Sequence, residues 1–497
     1  MKQTAPLLNN TGVSGLDEIL KGGLPANRLY LVRGNPGVGK TTLSMQFLLE
    51  GERLGEKGLY VTLSETKNEI EDIARSHGWK LGKLAIFELS ALEQEMAENA
   101  QNTIFHPSEI ELNKTTELLL RKIEQSNPKR LVLDSMSELR LLSDSPLRYR
   151  RQMLALKQFF AGRDMTVLLL DDHTDPAGGD LQVQSIAHGV ISIEAITSDY
   201  GTERRRVKVD KLRGVNFMAG YHDSVIVPGG LRVFPRLVAA EHVKDYKMSQ
   251  VKSGLDHLDR LLGGGLERGT SCLFLGPAGC GKSSLMAQFA VAAAERGEKT
   301  LVLLFEETKK ISLARSKALG MPVKKYIDEG LIDMRQLDPG ELAPGQFVNM
   351  VISAVEREDI KVVQIDSLNG YLQAMPDVKF LNIQFHELLT YLSHRGVITL
   401  MTVAQQGIMG STMTAPVEIT YLADTVVLMR YFEQGGEIKK AVSVLKKRVG
   451  RHESTIREFR ASNKGLQVGE TMRDFHGVLT GTPIYRGGGE AMLNKPE

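Results

Sequence analysis

One pattern occurs twice in the chain. Gly34-Asn35-Pro36-Gly37-Val38-Gly39-Lys40 returns 242 residues later as Gly276-Pro277-Ala278-Gly279-Cys280-Gly281-Lys282, and Gly22-Gly23-Leu24 returns at the same shift as Gly264-Gly265-Leu266. Ser14-Gly15-Leu16-Asp17 recurs as Ser253-Gly254-Leu255-Asp256, and Ser64-Glu65-Thr66 as Glu306-Glu307-Thr308. A repeat of this length means two similar domains, each large enough for its own core, within 497 residues. It predicts a first domain over 1–240, a short polar linker over 241–248 and a second domain over 249–483. Residues 484–497, with Arg486-Gly487-Gly488-Gly489-Glu490, carry too little apolar material to pack and are expected to form a mobile tail.

Within each copy, short apolar runs alternate with amphipathic segments. Leu29 to Arg33, Leu59 to Leu63, Leu131 to Asp134 and Val167 to Leu170 are apolar almost throughout, as strands buried on both faces are. Tyr149, Met153, Leu156 and Phe160 fall at spacings of four, three and four, which puts one apolar stripe on a helix. The expected fold class is therefore α/β, with a mainly parallel twisted sheet flanked by helices in each domain. Val190 to Ile196 and Arg206 to Val209 have no helix between them and read as strands added antiparallel at one edge.

Gly34 to Thr41 and Gly276 to Ser283 both fit G-x-x-x-x-G-K-[ST], each following an expected strand and opening an expected helix. The residue types serve a phosphate chain. The glycines let backbone N–H groups wrap it, the helix N-terminus adds partial positive charge, and Thr42 and Ser284 follow on the first turn. Lys40 and Lys282 are placed to contact the β and γ phosphates, and the Thr41 and Ser283 hydroxyls to ligate Mg²⁺, so ATP and Mg²⁺ are the expected ligands. Cys280, inside the second loop, is either a small filler or a thiol activated by the helix end.

Three further elements complete a nucleotide site. Asp134 and Asp366 each end a buried apolar run, where a carboxylate can hold a metal-bound water. Glu65 in the first copy, and Glu306 and Glu307 in the second, end the strand after the loop helix, within range of an attacking oxygen. Lys211-Leu212-Arg213 recurs as Lys446-Lys447-Arg448, and residues i and i+2 of a strand share a face, so each copy aims two cations one way. Such a pair could neutralise the γ phosphate of a neighbouring subunit or be a solvated edge that resists aggregation.

Other classes fare worse. Lys plus Arg number 62 against 60 Asp plus Glu, and a net charge of +2 over two domains gives no footprint for a phosphate backbone, so nucleic acid is not an expected partner. The two cysteines, Cys272 and Cys280, are too few for a disulfide framework and are not spaced as a metal pair. The N-terminus lacks the apolar core of a signal peptide, and no apolar stretch nears the ~20 residues that span a bilayer. A cytoplasmic location with no membrane attachment is expected.

Taken in order, the repeated Ser-Gly-Leu-Asp and Gly-Gly-Leu openings, Ala74-Arg75-Ser76-His77-Gly78-Trp79, Phe305-Glu306-Glu307-Thr308 and Ile456-Arg457-Glu458-Phe459 resemble the KaiC family, the ATPases and autokinases of the bacterial circadian clock. The similarity runs over essentially residues 10 to 483. The resemblance implies tandem RecA-like P-loop NTPase domains in a two-tiered homohexamer, with ATP bound between adjacent subunits. It implies slow hydrolysis in the N-terminal ring and transfer of the γ phosphate to hydroxyls of the neighbouring subunit in the C-terminal ring. Lys40, Thr41, Asp134, Lys211 and Arg213 match the family's first ATP site, and Lys282, Ser283, Asp366, Lys446 and Arg448 its second. Glu306 and Glu307 match the carboxylate pair whose first member is the base in autophosphorylation. In the first domain Ser64 stands at the leading position and leaves Glu65 alone.

The family's phosphorylated pair aligns on Thr420 and Tyr421, within Ile419 to Thr425. Thr420 keeps the acceptor hydroxyl, whereas Tyr421 substitutes a larger aromatic one. The resemblance leaves a place for a KaiB-like partner. The family's C-terminal extension, which binds the stimulator KaiA, is poorly matched after Pro483, which argues against a KaiA-like stimulator. The expected function is a hexameric ATPase with serine/threonine autokinase activity, working as a timing or stress-signalling switch. Its rivals are a signalling hub held together by nucleotide and a RecA-type recombinase or helicase, the latter opposed by the near-neutral charge.

Overall fold

The computed structural model describes residues 7–89, 107–143, 145–172, 181–197, 201–338, 340–373, 378–405, 421–434, 436–473, 475–478 and 484–485. The chain divides into two compact units, Met1–Arg236 and Leu237–Glu497. The division falls a few residues ahead of the expected linker. The second unit holds that linker: Ala239–His242 forms a 3-10 turn, the Ala239 N–H donates to Glu387 Oε2 (2.9 Å), and the Lys244 N–H donates to the His394 carbonyl (3.2 Å). Ile484–Tyr485, read from sequence as tail, pairs antiparallel with Phe475–His476.

The first unit is a nine-stranded sheet. Its strands are β1 Leu29–Gly34, β2 Gly58–Thr62, β3 Ala85–Glu88, β4 Arg130–Asp134, β5 Thr166–Asp172, β6 Gly189–Ile196, β7 Arg204–Leu212, β8 Tyr221–Val227 and β9 Gly230–Phe234. They lie in the order β9-β8-β7-β6-β1-β5-β4-β2-β3. From β6 to β3 every pairing is parallel, and β6/β7, β7/β8 and β8/β9 are antiparallel. β6 therefore belongs to the parallel core, and the antiparallel edge begins one strand later than the sequence suggests. Helix Leu181–Ile186 precedes β6 and returns it to the parallel set beside β1, from which the chain folds straight back into β7.

Both faces of this sheet are buried. Tyr30, Val32, Tyr60, Val132, Leu168 and Leu170 face a core with Leu43, Phe47 and Leu48 of the loop helix, while Leu31, Leu59, Val61, Leu131, Leu133 and Leu169 face a second core. That is why the central strands are apolar without alternation. Helix Pro146–Phe160 buries the stripe of Tyr149, Met153, Leu156 and Phe160 against the second core, with Ser145 capping its start through the Arg148 N–H (3.4 Å). Each such side chain contributes about 1.5–3 kcal/mol of transfer free energy.

The second unit repeats the topology. Its strands are β10 Ser271–Gly276, β11 Lys299–Leu304, β12 Ile332–Gln336, β13 Ile360–Asp366, β14 Ile398–Ala404, β15 Thr425–Gln434, β16 Glu437–Lys447, β17 Ile456–Ser462 and β18 Gly465–Thr471. The order is β12-β11-β13-β14-β10-β15-β16-β17-β18, which is the first sheet position for position. Among the described residues no helix is long and apolar enough to cross a membrane, and both cysteines are free and buried.

Candidate functional site

Each loop leaves the C-terminal end of the central strand and enters a helix, Lys40–Arg53 or Lys282–Glu295. The turn depends on glycine. Gly39 and Gly281 sit at φ +108° and +111°, and a Cβ there would lie 2.8 Å from Ile226 Cδ1 or 2.6 Å from Phe459 Cε1. The lysines are curled back over their own loops. Lys40 Nζ donates to the Gly34 and Asn35 carbonyls (2.8 and 3.0 Å), and Lys282 Nζ to those of Gly276 and Pro277 (2.8 and 2.7 Å). Val38 and Cys280 are buried inside the turns. Burial pushes the Cys280 thiol up, so it is the filler of the two readings and not a reactive thiolate.

Around Lys40 the first domain gathers three carboxylates. Asp134, at the end of β4, accepts from the Thr41 hydroxyl (3.3 Å) and from the phenol of Tyr60 on β2. Asp172, at the end of β5, is in ion contact with Lys40 Nζ (2.7 Å) and receives the Ser137 hydroxyl (3.3 Å). Glu65 is fixed by its backbone, whose N–H and carbonyl both bond the Thr62 hydroxyl (2.9 and 2.7 Å). Its Oε2 is buried with no hydrogen-bond partner among the described residues. Burial first, then the charge of Asp134, pushes the Glu65 carboxyl up to about 7. Burial likewise raises Asp134, against the pull of Tyr60 and Lys40.

The second domain keeps the framework and changes the neighbours. Ser283 and Asp366 line one small pocket with Gln364, Ser312 and Arg315. Asp366 is held by the Thr402 hydroxyl (2.6 Å) on β14. Ala404 ends β14 where Asp172 ends β5, so among the described residues the second lysine has no counterpart of that ion pair. Glu306 is exposed, whereas Glu307 is bonded by Arg315 Nη1 through both oxygens (2.5 and 2.6 Å).

The cation pairs lie elsewhere. Lys211 is level with Val190 on β6, and so with Leu31 near the start of β1, while the loop leaves the far end of β1 at Gly34. Lys446 is level with Val426 on β15, one residue from the Cys272 end of β10. Each pair thus sits at the end of its sheet opposite its own loop. A β-bulge immediately precedes each lysine. Lys211 Nζ and Arg213 Nη2 donate to the carbonyls of Gln184 (2.6 Å) and Ser185 (3.1 Å); Lys446 Nζ and Arg448 Nη2 donate to those of Ala423 and Tyr421 (both 2.8 Å). Burial, then the adjacent arginine, lowers both lysine ammonium groups. The intervening Lys447 is a core group, buried against Glu267 (3.0 Å).

Of the two acceptor candidates, Thr420 lies outside the described residues, and Tyr421 is 56% exposed. Tyr60, Asp172, Thr402 and Arg315 were not singled out from sequence. Asp171-Asp172 ends an apolar strand just as Asp134 does, which was an available signal. Tyr60 and Thr402 act only through sheet order, and Arg315 through the fold of its helix back onto Glu307.

A protein-family profile described as "ATPase: KaiC" matches residues 9–238 and again 251–473. The circadian clock oscillator protein KaiC of Parathermosynechococcus lividus is 28% identical over 485 residues, covering 95% of this chain and 87% of that protein. The protein of the same name from Synechococcus elongatus is 28% identical over 481 residues, covering 95% and 91%. The circadian clock protein KaiC3 of Synechocystis is 25% identical over 486 residues, covering 96% and 94%.

Proposed function

The chain belongs to the KaiC family of ATPases, and from that footing we propose that its first domain hydrolyses ATP while its second transfers the γ phosphate to the chain's own hydroxyls. The observation that carries this division is the contrast at the carboxylates. Glu65 is a half-buried base near neutrality with one oxygen unpartnered among the described residues, suited to a proton from water. Glu306 is open to solvent, where a hydroxyl from another subunit has access.

In the first site Lys40 would leave Asp172 to meet the β and γ phosphates, and the backbone of the loop would wrap them. Thr41 and Asp134, already 3.3 Å apart as hydroxyl and carboxylate, suit Mg²⁺, which supplies charge neutralisation on the phosphate oxygens. Glu65 takes the proton as the water oxygen bonds to γ phosphorus and the bond to the β–γ bridging oxygen breaks, releasing ADP. In the second site Glu306 takes the proton of an acceptor hydroxyl, with Thr420 as acceptor and Tyr421 minor. Lys211 with Arg213, and Lys446 with Arg448, stand too far from their own loops and serve the next subunit of a homohexamer. The ring acts as a timing or stress-signalling switch in the cytoplasm, with a KaiB-like protein as the partner class.

Incubation with Mg²⁺ and γ-labelled ATP, with phosphate release and phosphopeptide mapping, tests this. Label on Thr420 that Lys282→Ala abolishes is the expected result. Stoichiometric label on Tyr421 with Thr420 bare overturns the acceptor assignment, and phosphate release without any label reduces the protein to a ring ATPase.

A further inference from the structure

The helices that follow the two acidic turns are in register across the repeat. One runs Lys67–Ser76 after an N-cap at Thr66, the other Lys309–Ala318 after an N-cap at Thr308, both 242 residues apart. Position for position, Glu307 corresponds to Glu65 and Arg315 to Ile73. Glu307 stands just before the N-cap and Arg315 in the second turn of the helix, eight residues on, and their side chains are only 20% and 27% exposed. Arg315 Nη1 bonds both Glu307 oxygens, and its Nη2 reaches the hydroxyl of buried Ser312 (3.4 Å). Arg315 lines the same pocket as Ser283 and Asp366.

We propose that Arg315 is a clamp that withdraws Glu307 from proton transfer, and that its absence from the first domain lets Glu65 activate water there. This rests on the division of labour proposed above. A carboxylate whose two oxygens accept short charge-assisted bonds cannot take a proton without breaking them. Pairs of this kind, partly buried, also hold their geometry better than exposed ones. Glu306 is then the one member of its pair left to act, and it is the member with solvent access. A site with one exposed base suits a hydroxyl brought in by a neighbouring chain, whereas a second, inner base would activate water against the same γ phosphate. Ile73 offers Glu65 no cation, and Glu65 retains an oxygen without a partner among the described residues. Arg315 is on this account a positioning residue: it touches Glu307, not the reacting atoms.

The test uses the full chain carrying Glu65→Gln, so that first-site hydrolysis is suppressed. Adding Arg315→Ile should raise phosphate release at least severalfold over the Glu65→Gln parent, while Arg315→Lys, which keeps a cation on that turn, should stay near it. In the reciprocal variant, Ile73→Arg in the otherwise unaltered chain should lower phosphate release severalfold with nucleotide still bound. The clamp is overturned if Arg315→Ile, shown to bind two nucleotides per chain, releases no more phosphate than its parent. It is equally overturned if Arg315→Lys rises as much as Arg315→Ile, or if a folded Ile73→Arg hydrolyses normally. These outcomes separate from the parent reading. Absence of label from the unaltered chain removes the autokinase, yet the comparison of isoleucine with lysine still reads the clamp; normal label with no gain in Arg315→Ile removes the clamp alone.

Discussion

Burial makes the charged form of Glu65 costly, and that has two measurable effects. Its carboxyl is raised from an ordinary 4.5 to about 7 in the folded chain. Between those values the folded chain holds a proton that the unfolded chain has released, so stability falls as pH rises through the window and stays lower above it. Allowing for partial solvent exposure, the cost above pH 7 is about 1–2 kcal/mol. Glu65→Gln should therefore raise the Tm of the first domain by about 3–6 °C at pH 8 and by little at pH 4.5, as calorimetry of the nucleotide-free chain would read. The same carboxyl shapes catalysis in the opposite sense. Phosphate release should climb about tenfold per pH unit below 7 and level off above it, since only the ionised form accepts a proton. A rate flat from pH 5 to 8 would exclude Glu65 as the base.

At the scale of the element, the loops depend on single glycines at their helix starts. Gly281→Ala places a Cβ in a left-handed backbone, at φ +111°, and 2.6 Å from the Phe459 ring. Strain of about 1–2 kcal/mol adds to the displacement of a core aromatic. The variant should lose second-domain stability and bind a fluorescent ATP analogue at least tenfold more weakly there, while Gly297→Ala, whose Cβ would meet nothing within 4 Å, should not alter binding. Such loops were legible in the sequence because glycine spacing between an apolar run and a helix has few other solutions. The central strands were legible for a related reason, since burial on both faces leaves a continuous apolar run. What could not be read was adjacency. Asp172 meets Lys40 because β5 lies beside β1, and Thr402 meets Asp366 because β14 lies beside β13. Strand order is not written in the local pattern. The position of β6 escaped for the same reason, and the contact of Arg315 with Glu307 escaped because Glu307 precedes the helix that carries Arg315, so helical spacing does not predict their meeting.

For the whole molecule, the decisive feature is that each cation pair and its own loop occupy opposite ends of one sheet. Lys211 is level with Leu31, three residues short of Gly34, and two strands across, so about 10 Å along the sheet and about 10 Å across it separate the backbones. Its side chain is moreover turned to the Gln184 carbonyl. A rigid sheet cannot bring the two together, whereas the proposed head-to-tail ring would bring the far end of one copy to the loop of the next. That geometry makes a quantitative prediction for mixed rings. Chains with Glu65→Gln lack the base but still donate cations, and chains with Lys211→Ala and Arg213→Ala lack the cations but keep the base. Each alone should release little phosphate. Mixed one to one before assembly, about a quarter of the interfaces would join a complete loop to a complete cation pair, so about a quarter of the unaltered rate should return. Were each site built within one chain, mixing would restore nothing, and the rate would be the mean of the two variants. Phosphate release against mixing ratio, at fixed total protein, distinguishes the two: recovery that follows the product of the two fractions requires sites shared between subunits, and a straight line between the end points excludes them.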